Sequence, residues 1–188
     1  MINVKERNLE EIQEKLRNIK TNLNKVEYLE SALKKNISLE INRYILKNLC
    51  QIYEEEKLYG AAAKCYSQKA RFEHTFKEKI ESFLRSAENF CKAVEIENAE
   101  QMFLCAYREA NENEKKEILK KRKEKYFFYG EFFEKIGKNS SAIKFYEKLF
   151  SIKLEENEKI KVKEKLKEIY KKLGKLKEMR EIERKNID

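Results

Sequence analysis

The sequence predicts an all-helical protein built as an array of stacked helix pairs, and three observations predict it. The 188 residues include no Pro and only four Gly, too few for the many tight turns of an all-β fold or for a phosphate-binding Gly-rich loop. Apolar residues recur at helical spacing along most of the chain. They make up 41% of it, enough for a core. The third observation is an internal repeat.

One arrangement of large and small residues occurs three times. An aromatic residue is followed nine positions later by Ala, and four positions after that by a second aromatic residue. The three copies are Tyr53, Ala62 and Tyr66; Phe90, Ala99 and Phe103; and Phe133, Ala142 and Tyr146. We interpret the first aromatic as the end of a helix A. The Ala then lies within a helix B, where a small side chain lets two helix axes approach to about 8–10 Å.

The residues between Phe133 and Ala142 support a turn there. Gly137 is typical of the residue just beyond a helix C-terminus, since glycine adopts positive φ freely. Asn139 or Ser140 would then be the N-cap of the following helix.

This pattern resembles the tetratricopeptide repeat family. The fullest match lies within 126–149, and the segments 46–70 and 83–106 resemble the family too. The matching residues of the fullest copy are Tyr126, Tyr129, Gly130, Phe133, Gly137, Ala142, Tyr146 and Leu149. The resemblance implies a right-handed α-solenoid of about five antiparallel helix pairs and no catalytic residues.

Weaker copies at both ends extend the array over 1–188. The small-residue positions are then 25, 62, 99, 142 and 179, so the spacings are 37, 37, 43 and 37 against a usual period of about 34. The predicted repeats are 5–36, 40–72, 77–111, 114–154 and 157–187. We expect the six additional residues of the longer step around 111–121, as a lengthened helix or a longer loop.

The first predicted repeat has an alternative. Apolar residues at alternating spacings of three and four form a short heptad seam: Leu9, Ile12, Leu16, Ile19, Leu23 and Val26. One long helix over 5–35 could therefore self-associate as a coiled coil. A broken helix pair is the other interpretation, because the seam is short.

Positive charge is concentrated in the second half of the chain. Residues 1–110 have a net charge of +1 and residues 111–188 a net charge of +8. The candidate basic patch consists of Lys115, Lys116, Lys120, Lys121, Arg122, Lys123, Lys125, Lys161, Lys165 and Lys172. These residues could be a solvated surface, a site for an acidic protein, or a weak RNA site. Any RNA binding would be sequence-independent and salt-sensitive.

The resemblance also implies a partner-binding groove, because A helices line the concave side of the family's solenoid. The implied groove residues are Tyr44, Lys47, Asn48, Gln51, Arg85, Lys92, Phe127, Phe128 and Lys135. Phe127, Phe128 and Phe132 exceed what one buried stripe requires. They are either a second core face or a docking site.

No catalytic, metal or cofactor site is predicted. Cys50, Cys65, Cys91 and Cys105 lack metal-site spacing and are expected to be reduced and buried, and His74 is expected at the surface. The N-terminus has no signal-peptide pattern and no stretch is a membrane span, so we expect a cytoplasmic protein that does not enter membranes. The predicted function is a non-enzymatic scaffold that binds a protein or peptide segment, with RNA association through the Lys-rich half as the alternative.

Overall fold

Helices make up the regular structure of the protein. The computed structural model describes residues 4–35 and 38–184, and within these ranges it contains ten α-helices and no strand. The helices are α1 (Leu9–Asn18), α2 (Asn22–Leu33), α3 (Leu39–Glu55), α4 (Tyr59–Ala70), α5 (Phe76–Lys92), α6 (Ile96–Glu109), α7 (Glu112–Lys135), α8 (Asn139–Phe150), α9 (Glu156–Lys172) and α10 (Leu176–Arg184). The all-α prediction is confirmed. None of the helices in these ranges combines the length and apolar character needed to cross a bilayer.

The chain divides into two compact units, Met1–Lys115 and Lys116–Asp188. In the first unit α2 packs on α3, α3 on α4, α4 on α5 and α5 on α6. In the second unit α8 packs on α9 and α9 on α10. Each of these helices therefore contacts at least one neighbour in the sequence, while a single array over 1–188 stays a prediction.

Four helices end in the same turn. A residue with positive φ stands just beyond α3, α5, α7 and α9: Lys57, Val94, Gly137 and Gly174. The amide of the next residue donates to the carbonyl of the aromatic residue five positions back: Tyr53 at 2.8 Å, Phe90 at 2.9 Å, Phe133 at 2.8 Å and Tyr170 at 2.9 Å. This is the Schellman arrangement. It reverses the chain at the places where the sequence frame predicted that helix A ends.

The small residues of the frame allow close helix packing. Ala62, Ala99 and Ala142 are all 0% exposed. Gly130 on α7 plays the same role, because a Cβ at this position would lie 2.9 Å from Cε1 of Tyr146 on α8. Any larger residue there would push the buried Tyr146 ring away.

Tyrosine–glutamate hydrogen bonds connect adjacent helices at two repeated spacings. Twelve residues separate the partners within a helix pair, where Tyr66 donates to Glu54 at 2.9 Å and Tyr146 donates to Glu134 at 2.9 Å. Twenty-three residues separate the partners between pairs, where Tyr53 donates to Glu30 at 2.5 Å and Tyr170 to Glu147 at 2.7 Å. Burial, together with these carboxylates, raises the pKa of all four phenols.

The N-terminal segment is a broken helix pair, so the single long helix over 5–35 is wrong. The chain leaves the helical conformation at Ile19, and Thr21 caps α2 by accepting from the amide of Asn24. Ile12 and Leu16 are buried in the core of the first unit, whereas Leu23 is 77% exposed. The heptad seam is therefore not continuous, and self-association through 5–35 stays a prediction.

The additional residues of the 43-residue step lie in α7, which is 24 residues long. The prediction of a lengthened helix is therefore confirmed, and the alternative of a longer loop is wrong. Gly137 takes its predicted positive φ of 75°. The predicted N-cap is wrong, because α8 begins at Asn139 and its N-cap is Lys138, without a side-chain cap. The Schellman turn leaves three residues between the two helices, one fewer than an N-cap at Asn139 required and two fewer than one at Ser140.

Candidate functional site

The candidate site is a cleft in the first unit with a volume of about 480 Å³. Side chains of α3, α4, α5 and the α4–α5 loop line it. They are Arg43, Tyr44, Lys47, Tyr66, Lys69, Glu73, Glu78, Glu81, Ser82 and Arg85. Four of these carry positive charge and three carry negative charge, so the cleft is polar and mixed in sign.

A buried carboxylate organises one wall of the cleft. The Glu73 side chain is only 3% exposed. It accepts hydrogen bonds from Arg43 at 3.0 Å, from Ser82 at 3.2 Å and from Lys69. Because α3, α4 and α5 supply these three donors, Glu73 fixes the side chains of three helices around one point.

The electrostatics of this wall favour the charged form of Glu73. Burial alone would raise its pKa, but the hydrogen bonds from Lys69, Arg43 and Ser82 and the charge of Lys69 outweigh burial and hold the pKa below its usual range. Arg43 also contacts Glu78 at 3.3 Å. The hydrogen bonds that Glu78 makes as the partner of Thr75 in a capping box lower the pKa of Glu78. Arg43 is therefore held by two carboxylates.

The remaining cations of the cleft are open to a ligand. Lys47 on α3 and Arg85 on α5 are both exposed, and neither side chain forms an ion pair or hydrogen bond with any residue that the structure describes. Half-buried Tyr44 and Tyr66 lie in the same lining. The cleft thus offers two cationic groups beside two phenol rings, an arrangement that can hold an acidic side chain and apolar neighbours.

Three of the predicted groove residues, Tyr44, Lys47 and Arg85, line this cleft. Asn48 and Gln51 are not in its lining. The Asn48 amide donates to the main-chain carbonyl of Tyr44 at 2.8 Å, and the exposed Gln51 donates to its helix neighbour Glu55 at 2.9 Å.

Lys92 lies at the far end of α5 and has structural contacts instead. Its ammonium group is 5.4 Å from the centre of the Tyr59 ring and 4.0 Å from Glu88. These contacts fix Lys92 against α4, away from the residues that line the cleft.

The predicted groove residues of the second unit lie on two sides of α7. Phe127 is half-buried, with the Lys161 ammonium 5.6 Å from its ring centre. Phe128 is 59% exposed, and Lys135 is exposed. Phe132, which the sequence placed either in a core face or in a docking site, is 44% exposed.

Ion pairs neutralise part of the predicted basic patch. Four of its residues pair with glutamates: Lys115 with Glu112 at 2.8 Å, Lys123 with Glu158 at 2.7 Å, Lys161 with Glu131 at 2.8 Å and Lys165 with Glu134 at 3.1 Å. Arg122 and Lys125 are half-buried. Lys116, Lys120, Lys121 and Lys172 are exposed. Three of these pairs, those of Lys123, Lys161 and Lys165, connect α7 with α9.

Sequence reasoning missed the residues that organise the cleft, Arg43, Lys69 and Glu73. Glu73 lies in the loop after α4, outside the repeat frame, so periodicity does not mark it as buried. The only sequence signal is the spacing of four between Lys69 and Glu73, which is common on solvated helices.

The four cysteines and the single histidine differ in their exposure. Cys50, Cys65 and Cys91 are buried as predicted and form no disulfide, but Cys105 is only half-buried. It stands on α6 between buried Phe103 and Ala106. Burial raises the pKa of the Cys50 thiol, which disfavours the reactive thiolate. His74 is exposed. Within residues 4–35 and 38–184, no cluster of three or more His, Cys, Asp or Glu could hold a metal ion.

No protein-family model, curated protein or solved structure matches the chain.

Proposed function

We propose that this protein is a non-enzymatic, tetratricopeptide-like helical scaffold that binds an extended segment of a partner protein in the cleft of the first unit. The observation that carries the proposal is the exposed, unpaired pair of cations, Lys47 and Arg85, on two successive A helices. An acidic residue of the partner fits between them.

Recurring contacts support the proposed repeat architecture. The four Schellman turns are separated by 37, 43 and 37 residues, as the Ala-based frame predicts for the same steps. Two ion pairs also recur at one spacing of 35 residues, Arg43 with Glu78 and Lys123 with Glu158. Both connect successive A helices, and both lie at equivalent positions when the turns are aligned. A solenoid requires such nearest-neighbour contacts between repeats.

The same alignment supports a ligand site in the first unit. Between α7 and α9, Lys161 pairs with Glu131 and Lys165 pairs with Glu134. When the turns are aligned, Glu81 on α5 stands at the position equivalent to Lys161. Arg85 stands at the position equivalent to Lys165. Neither Glu81 nor Arg85 forms such a pair within the described residues, so the space between α3 and α5 is left for a ligand.

Charge reversal tests the proposal. Affinity capture from native lysate, at low and high salt, would compare the wild-type chain with the variant Lys47→Glu/Arg85→Glu. We expect the variant to lose the salt-sensitive protein partners that wild type retains. The matched control is Lys77→Glu, an exposed Lys on α5 outside the cleft. Retention of the same partners by the double variant would refute the assignment of the cleft.

RNA association through the Lys-rich half is the weaker candidate, since four residues of the basic patch are paired with glutamates. Its remaining support is the exposed group Lys116, Lys120 and Lys121 on α7. Reversing these three charges should leave unchanged the capture of those partners that Lys47→Glu/Arg85→Glu loses.

A further inference from the structure

We propose that one open face of α7, in the second unit, binds an acidic amphipathic helix of a partner protein. The face, which we call the α7 stripe, consists of Lys121, Phe128, Phe132 and Lys135, together with Ile136 just beyond the end of the helix. Their spacing places them on one side of the helix. The stripe is a different surface from the cleft, and its function does not depend on that of the cleft.

Three large apolar side chains of the stripe are exposed. Phe128 is 59% exposed, Phe132 44% and Ile136 48%. The rings of Phe128 and Phe132 are stacked, with centroids 6.4 Å apart and planes 10° apart. They form one continuous apolar surface, which a water-soluble protein rarely leaves uncovered without a partner.

The other two faces of α7 are already used. On one, Tyr126, Tyr129 and Phe133 surround the ring of Phe145 on α8, with centroid distances of 6.2, 5.8 and 5.6 Å. On the second, Glu131 and Glu134 pair with lysines of α9. The stripe is the third face.

Equivalent positions in other helices show that this face normally packs. When the chain is aligned on the Schellman turns, Phe132 corresponds to Ile52 in α3, Asn89 in α5 and Ile169 in α9. These three residues are 7%, 0% and 0% exposed. Phe132 is therefore the exposed member of a set that is otherwise buried between helices.

The contacts of α3 and α9 show what kind of element covers the face. Ile52 belongs to the core cluster that contains Leu29 of α2, and Glu30 of α2 accepts the hydrogen bond from Tyr53. On α9, Glu147 of the preceding helix accepts from Tyr170 in the same way. In both cases the neighbouring element is the preceding α-helix of the chain, which has an apolar face and a glutamate at its margin. We expect a partner helix of the same character to cover the open face of α7.

The lysines at the ends of the stripe also favour a partner helix that carries acidic side chains. Lys121 and Lys135 at the ends of the stripe are exposed and form no ion pair with a residue that the structure describes. Acidic side chains at the margins of an incoming helix would neutralise them. A second copy of α7 would instead bring the same lysines into contact, because a two-fold interface pairs identical patches. The stripe therefore favours an acidic helix from another protein over self-association.

Two model peptides test the proposal with the full chain. One is an amphipathic helix of about 20 residues, or 30 Å, with a leucine stripe flanked by Glu, and the other carries Lys in place of each Glu. Fluorescence anisotropy of the labelled peptides would measure their affinities for wild type and for Phe128→Ala/Phe132→Ala. We expect the Glu peptide to bind, and the double variant to bind it about tenfold or more weakly, because two rings no longer gain burial. Phe76→Ala, which removes a ring that is 67% exposed, is the matched control and should not change the affinity.

Several results would overturn the proposal. Equal binding of the Glu and Lys peptides would show that charge does not select the partner. Undiminished binding by Phe128→Ala/Phe132→Ala would show that the peptide does not bind to the stripe. A dimer in sedimentation that the double substitution converts to a monomer would assign the face to a second copy. A large loss of stability in urea would show that the two rings are core. In contrast, peptide binding that persists in Lys47→Glu/Arg85→Glu would show that the peptide does not bind in the cleft.

Discussion

Replacing Glu73 by Gln tests whether one buried carboxylate organises the cleft. Gln keeps the shape of Glu and can still accept a hydrogen bond from Ser82, but it removes the negative charge between Arg43 and Lys69. Hydrogen bonds to a charged group contribute about 1.5–3 kcal/mol and neutral ones about 0.5–1.5 kcal/mol. Gln has one acceptor oxygen where the carboxylate has two, so its NH2 group faces the donors of either Arg43 or Lys69. One cationic contact of about 1.5–3 kcal/mol is therefore lost. Because the Arg43 and Lys69 side chains are 27% and 20% exposed, water recovers part of this. We expect a net loss of about 1–2 kcal/mol.

Urea unfolding followed by circular dichroism would measure the loss. With a slope of about 2 kcal/mol per molar urea, the unfolding midpoint should fall by roughly 0.5–1 M. Glu81→Gln is the matched control, since Glu81 lines the same cleft but is exposed, and its midpoint should stay near that of wild type. Equal losses for the two variants would mean that net charge, and not the contacts of Glu73, sets the stability.

The pH dependence gives a second, independent check. The pKa of Glu73 is lowered in the folded state, so its contribution is complete above the unfolded-state pKa of about 4.3. It disappears as the pH falls through the lower folded-state value. The difference between wild type and Glu73→Gln should therefore be full at pH 7 and shrink under acid conditions. A difference that stays constant down to the acid unfolding transition would refute the electrostatic explanation.

Two further predictions concern the backbone and the packing of the repeats. Lys57→Gly should raise the free energy of unfolding by about 0.5–1 kcal/mol and Gly137→Ala should lower it by a similar amount. The reason is that positive φ costs a residue with a Cβ about 1–2 kcal/mol, partly offset by the greater entropy of unfolded Gly; midpoints that move in the same direction would contradict this. Gly130→Ala should lower stability by about 1–2 kcal/mol in the same urea assay. The clash of its Cβ with Tyr146 outweighs a gain of about 1 kcal/mol in helix propensity, and a more stable variant would show that the ring moves aside freely.

The sequence was most informative where packing repeats. The Ala frame predicted helix ends at Tyr53, Phe90 and Phe133, because a small residue and two aromatics are needed wherever two helices cross closely. It also predicted that extra residues would lengthen the chain before Phe133, and these residues form the N-terminal part of α7. The positive φ of Lys57 and Val94 had no such signal, since neither residue type favours it.

The candidate sites were harder to predict because burial of charge is a tertiary property. Lys47 and Arg85 were found from the repeat register, but Glu73 looks like any glutamate near a helix end. For Phe132, periodicity left both a core face and a docking site open. Only the comparison with buried Ile52 and Ile169 distinguishes a face that is normally covered from one that is open.

The tyrosine–glutamate bonds have a consequence for how the protein folds. Their partners are separated by only 12 or 23 residues, so the loops that must close are short and the entropy lost on closing them is small. Proteins dominated by such local contacts fold within microseconds to milliseconds. We expect each helix pair to form soon after its second helix leaves the ribosome, and a chain interrupted between pairs to retain the structure of the pairs already made.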